Sequence, residues 1–96
     1  MAVWFVSRHQ GAIDWIKTQN IHIDHWVSHL EIDRIQANDI VIGTLPLHMV
    51  AQICEKGARF YFLSINLQEN LRGQELTASQ LAVQQCELQP FFVKKL

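Results

Sequence analysis

Two short stretches carry residue types suited to handling a phosphate group: Ser7-Arg8-His9-Gln10-Gly11 and Gly43-Thr44-Leu45-Pro46. In the first, a guanidinium can make a bidentate contact to phosphate oxygens, and a hydroxyl can donate one further hydrogen bond. His9 adds an imidazole, the side-chain type best suited to proton transfer near neutrality. In the second, Thr44 supplies another hydroxyl and can cap a helix, with Pro46 fitting that helix's first turn. Gly11 and Gly43 would let the backbone come close to a ligand. Each stretch follows an apolar run, so each also reads as an ordinary corner where a strand reaches the surface. What separates the two readings is whether the fold brings the corners together.

The elements that must do so are legible in outline. Val3 to Val6 (Val-Trp-Phe-Val) reads as a short buried strand. A helix follows from Gln10 to Gln19, with Ala12, Trp15, Ile16 and Gln19 at helical spacing. Asp24 to Ile32 alternates, with Trp26, Ser28, Leu30 and Ile32 on one face, and is expected to form a strand with one wetter face near a sheet edge. Asp39 to Ile42 reads as a second buried strand. The helix after it carries Leu47, Val50, Ala51 and Cys54 on one face and stops at Gly57. Arg59 to Ile65 is a third buried strand. A polar loop from Asn66 to Glu75 contains Arg72, and Thr77 opens a last helix, with a capping box to Gln80 and a staple of Leu76 on Leu81. Glu87 to Val93 forms a final strand, which Pro90 confines to a sheet edge.

Strands alternating with helices imply an α/β fold with a mainly parallel sheet and helices on both faces. Open sheets of this kind bind ligands beyond the carboxyl ends of their strands. The corners at Ser7-Arg8-His9 and Gly43-Thr44, together with Asn66 to Arg72, are expected to meet there. Both helix N-termini would then offer backbone N–H groups and partial positive charge to an anion.

Composition sets limits on partners. The 96 residues suit a single domain, and the formal net charge of -1 disfavours a protein that coats long nucleic acid. It does not disfavour a small anionic ligand, which needs only a few local donors. No apolar run approaches the ~20 residues of a membrane span, and Arg8 interrupts any signal-type pattern, so a cytoplasmic location is expected. Cys54 and Cys86 lie in apolar segments and are expected to be buried free thiols. His22, Asp24, His25 and His29 have metal-ligating types, but four residues of strand would part His25 from His29 by ~13 Å, too far to share one ion. No metal or cofactor is expected. Trp4, Phe5, Trp15 and Trp26 are read as core.

The combined motifs resemble a known family. Trp4-Phe5-Val6-Ser7-Arg8-His9 with Gly11-Ala12 and Trp15 carry the likeness, together with Gly43-Thr44-Leu45-Pro46 leading into Ala51 and Cys54. Gly57-Ala58-Arg59 and Arg72-Gly73 with Glu75-Leu76-Thr77-Ala78 complete it. The chain is similar to the small CRISPR-associated Csx family numbered sixteen, found with type III systems, from about Val3 to Ala82. Lys56 stands where that family leads one to expect an arginine, and the tail after Glu87 is not diagnostic.

The resemblance implies a small Rossmann-like three-layer domain that binds a cyclic oligoadenylate. It implies ring nuclease activity, the linearising of cyclic tetra-adenylate that switches off antiviral signalling. It supports the corner residues as a set, not their individual roles. A ring with four phosphates contains a twofold axis, so a homodimer presenting the same rim twice would match it. A ribose 2′-OH would attack the adjacent phosphorus without a metal. Arg8 and Arg72 would stabilise the phosphorane and His9 would assist proton transfer. Ser7, Gly11, Gly43, Thr44, Leu45 and Pro46 would bind the ligand. Two rival readings are a non-catalytic binder of the same messenger and an interaction module docking through the surface near Trp26.

Overall fold

The computed structural model describes residues 1–64 and 87–96. Within them, β1 (Val3–Val6), α1 (Gln10–Lys17), β2 (His25–Val27), β3 (Ile40–Gly43), α2 (Leu47–Glu55), β4 (Arg59–Ser64) and β5 (Glu87–Phe91) follow in chain order, with a 3₁₀ turn over Ile32–Arg34 between β2 and β3. The five strands form one sheet in the order β2-β1-β3-β4-β5. β1, β2, β3 and β4 run parallel to one another, and β5 runs antiparallel on the edge beside β4. The protein is a mixed α/β fold with a mostly parallel sheet and two helices among the described residues.

Alternation along β1 explains the packing. Trp4 and Val6 join Leu30, Ile35, Val41, Val50, Ile53, Cys54 and Phe60 in one apolar cluster, and α2 supplies three of its members. Phe5 points the other way and joins Ala12, Trp15 and Ile16 of α1 with Ile23, Ile42 and Leu63. Successive strand residues face opposite sides of a sheet, so four short residues can serve both clusters. The helix face foreseen for α1 holds at Ala12, Trp15 and Ile16, but the helix ends at Lys17 and Gln19 is exposed beyond it.

The amino ends of the strands are tied by two aspartates. Asp39 is buried and accepts hydrogen bonds from the Ala2 amide at 3.0 Å, the Gln36 amide at 3.0 Å and the Trp4 indole N–H at 3.2 Å. Burial alone would push its carboxyl up, but these donations and the nearby N-terminal charge outweigh it and hold the group below its ordinary value. Asp24 accepts the Val3 amide at 2.7 Å, and that backbone bond is the main cause of its lowered pKa. Trp4, besides its bond to Asp39, stacks on His25 with ring centroids 4.0 Å apart and carries the Arg34 guanidinium 4.9 Å from its ring. These groups fix strand order and register. They lie at the end of the sheet away from the two corners.

Several expectations need correction. The alternating stretch Asp24 to Ile32 is not one strand: β2 spans His25–Val27, the chain bends at Ser28 and His29, and Leu30 turns into the cluster under α2. Apolar alternation reported burial correctly and direction wrongly. Trp26 is 44 % exposed on this edge strand, not core, with its ring against Phe5 and the Lys17 ammonium 5.5 Å away. On α2 the buried face is Val50, Ile53 and Cys54, while Leu47 is exposed and Ala51 half-buried. The helix opens only at Leu47, whose side chain is exposed. Gly57, at φ +84°, stops α2 as expected. Cys54 is a buried free thiol. The last strand is an edge strand containing Pro90, but ends at Phe91. Ile65, the loop with Arg72, the capping box at Thr77 and Cys86 lie outside the described residues.

Candidate functional site: the carboxyl edge of the sheet

Register decides which corners meet. Val6, the last residue of β1, pairs with Gly43, the last residue of β3. The chain therefore leaves two neighbouring parallel strands at the same rung, and Ser7-Arg8-His9 lies beside Thr44-Leu45-Pro46. Gly43 makes this possible for a reason of packing. A Cβ there would sit 2.7 Å from the Val6 carbonyl oxygen, so any side chain would force the two strand ends apart. The close approach that glycine allows is thus made by β1.

The first corner is built by local hydrogen bonds. The Ser7 amide donates to the Val27 carbonyl at 3.0 Å, which carries the β1–β2 pairing one residue past the strand. The Ser7 hydroxyl accepts from the His9 amide at 3.1 Å, turning the chain into α1. His9 is the N-cap; its carbonyl accepts from Ala12 and Ile13 at 3.1 and 3.2 Å. Helix geometry leaves the amides of Gln10 and Gly11 without helical acceptors at this end. Gly11 itself is buried, whereas Arg8 and His9 are exposed. Among the described residues, no ion-pair or hydrogen-bond partner engages the Arg8 guanidinium.

The second corner differs from expectation. Thr44 does not cap α2, because its hydroxyl donates to the Leu63 carbonyl of β4 at 3.1 Å. Pro46 is itself the N-cap, outside the first turn, and its carbonyl accepts from Met49 and Val50 at 3.0 and 3.2 Å. Thr44 thus pins the corner across the sheet, Leu45 packs half-buried against the α2 cluster, and Pro46 is exposed at the rim. Arg72 lies outside the described residues.

Two residues that sequence spacing did not single out for this edge join it. His29 lies two residues beyond Val27, as Arg8 lies two beyond Val6, and Val27 and Val6 are a paired rung. His48 is exposed in the first turn of α2. With His9, three histidines thus follow three adjacent strands, His48 in the first turn of α2. Only sheet order reveals this, because they lie far apart in sequence and form no local motif. At the far end of the same edge Ser64 pairs with Glu87, an acid. Arg8 and the three exposed histidines therefore belong to the β2-β1-β3 half of the described rim.

His22 and His25 lie instead at the amino end of β2. His22 contacts Asp24 at 2.9 Å, and His25 stacks on Trp4. His29 lies 4.0 Å from Glu31, beyond the end of β2, so the extended-strand distance foreseen between His25 and His29 does not apply. Among the described residues, no three His, Cys, Asp or Glu side chains gather where one ion could bind them. No helix among them is long and apolar enough to cross a membrane.

Fold and rim define a small mixed α/β protein whose exposed basic and hydroxyl groups collect where parallel strands end. Over residues 4–94 the chain matches the family described as "Putative CRISPR-associated protein (Cas_VVA1548)", and it belongs to that family. Neither a curated protein nor a solved structure gives a match.

Proposed function

We propose that this CRISPR-associated protein is a ring nuclease of the Csx family numbered sixteen, acting in the cytoplasm beside a type III system on cyclic tetra-adenylate. The observation that carries the reading is the Val6–Gly43 rung, which sets the two polar corners side by side at one sheet edge, with Arg8 exposed on the first of them. Two apolar clusters, one with each helix, support a Rossmann-like three-layer arrangement, in which ligands sit at this edge.

In this reading Arg8 grips a phosphate through its planar fork, and the first-turn amides of α1 and α2 receive further oxygens. Bending the ring backbone into line lets a ribose 2′-OH attack the neighbouring phosphorus. Positioning supplies most of the rate, as in other phosphoryl reactions. Arg8, joined by Arg72, stabilises the charge that builds on the phosphorane, and His9 assists proton transfer. A homodimer offers the rim twice, across the twofold axis of the ring. Incubating the pure protein with cyclic tri-, tetra- and hexa-adenylate tests this. Linear products from the tetra-adenylate support it. Tight binding without products would favour a sequestering protein, and no affinity for any ring would remove the reading.

A further inference from the structure

We infer that His29 is a catalytic residue of the same rim, the base that takes the proton from the attacking 2′-OH, and that Glu31 is its positioning residue. The inference rests on the ring-opening reading above and adds a group that the spacing of the sequence left unassigned.

Three observations lead to it. First, β2 stops at Val27 and the chain bends at Ser28 and His29, which takes His29 off the strand and onto the carboxyl edge. Second, the Ser7 amide donates to the Val27 carbonyl at 3.0 Å, so the two chains remain joined just before Arg8 and His29. Neighbouring strands lie about 4.8 Å apart, which is within the span of one phosphodiester and its ribose. A guanidinium on one corner and an imidazole on the next can therefore address the same linkage. Third, the Glu31 carboxylate lies 4.0 Å from His29 Nε2, and both side chains are well exposed, at 79 and 69 %. A carboxylate there lies within reach of the imidazole edge and can orient it.

The step balances without a metal or an outside reagent. The 2′-O–P bond forms as the P–O5′ bond breaks. The 2′ proton passes to the His29 imidazole, and the electron pair left on O5′ takes a proton from the His9 imidazolium. Solvent then returns the two rings to their starting forms, and the product ends in a 2′,3′-cyclic phosphate and a 5′-hydroxyl. His9 and His29 belong to adjacent strand ends, so attacking and leaving oxygens on either side of one phosphorus can each meet an imidazole.

The test uses the full chain and two probes: cyclic tetra-adenylate for cleavage, and its 2′-fluoro analogue, which lacks the nucleophile, for affinity. His29→Ala should bind the analogue within about threefold of wild type while its single-turnover rate falls by about 10²–10⁴-fold. Added imidazole should restore part of that rate, which a structural role would not allow. Glu31→Gln should lose about tenfold or less in rate at unchanged affinity, the cost of one exposed orienting contact. Wild-type cleavage by His29→Ala would overturn the inference and leave the ring nuclease reading intact, as would a rate loss matched by lost affinity and not rescued by imidazole. A wild-type protein that binds neither probe would overturn both.

Discussion

Replacing Gly43 by alanine tests the contact that brings the two corners together. The new Cβ would lie 2.7 Å from the Val6 carbonyl oxygen, about 0.7 Å inside the 3.4 Å at which ordinary contact begins. That oxygen is backbone in a buried strand, so it cannot swing away as a flexible side chain would. The β1–β3 rung must open, between residues as enclosed as Val6, Val41 and Ile42. Overpacking of this kind costs about 1–3 kcal/mol, and in a chain of this length each kcal/mol lowers Tm by about 4–8 °C. Gly57 supplies the control, because glycine is needed there for its φ of +84° while the nearest atom to an added Cβ is 3.6 Å away. Asparagine tolerates that backbone region, so Gly57→Asn should be milder than Gly57→Ala. At Gly43 the order should differ, with asparagine no better than alanine. Urea unfolding of the four variants, followed by circular dichroism, gives the comparison. A Gly43→Ala protein within about 0.5 kcal/mol of wild type, the range of neutral surface changes, would mean that the β1–β3 rung absorbs the added Cβ without opening.

Other expectations concern charge and assembly. Asp39 is held below its ordinary value of 3.8 in the folded protein, so its contribution to stability is complete above that pH and lost as pH falls through the lowered value. Asp39→Asn should flatten that part of the acid limb in urea midpoints measured from pH 7 to 2, and an unchanged slope would count against it. Arg8→Ala should weaken binding of cyclic tetra-adenylate by about ten- to a hundredfold, the worth of a charge-assisted bidentate contact, and Arg8→Lys should recover only part. His9→Ala should bind nearly normally and cleave about 10²–10⁴-fold more slowly; normal rates in both variants would return this corner to a plain surface turn. Light scattering should give about twice the 11.1 kDa of one chain, with one ring bound per two chains. One ring per clear monomer would remove the shared site.

Much of the fold was legible because burial on both faces leaves a strong mark. Val3 to Val6 and Arg59 onward are continuous apolar runs of strand formers, and parallel strands covered on both sides need such runs. The α1 face at Ala12, Trp15 and Ile16 and the stop at Gly57 follow from local geometry alone. β2 was harder, because Leu30 and Ile32 keep the alternation going after the strand has ended. Leu30 is buried and Ile32 partly buried in the cluster with α2, and periodicity carries no information about which element does the burying. Thr44 looked like a cap because its nearest sequence neighbours open a helix, yet its hydroxyl is taken by Leu63, a partner nineteen residues away. Asp39 drew no notice beside an apolar run, although three donors converge on it.

The site divides in the same way. Ser7, Arg8 and His9 follow one another, so their chemistry can be read as a short string. Gly43-Thr44 reads as a second corner at the same edge, but its histidine neighbours on the rim do not. Gly43 comes from β3, His29 from the end of β2 and His48 from the start of α2, and the order β2-β1-β3 is what assembles them. In a parallel sheet, consecutive strand ends are joined by crossovers, so the residues around one ligand are dispersed along the chain.

The activity proposed for this rim is the opening of a cyclic oligoadenylate by attack of the ring's own 2′-OH. The most direct measurement is mass spectrometry of cyclic tetra-adenylate incubated with the pure protein and excess chelator. Linear fragments that end in a 2′,3′-cyclic phosphate should form at the same rate with and without the chelator. An intact ring, or cleavage that appears only when Mg²⁺ or Mn²⁺ is restored, would contradict it.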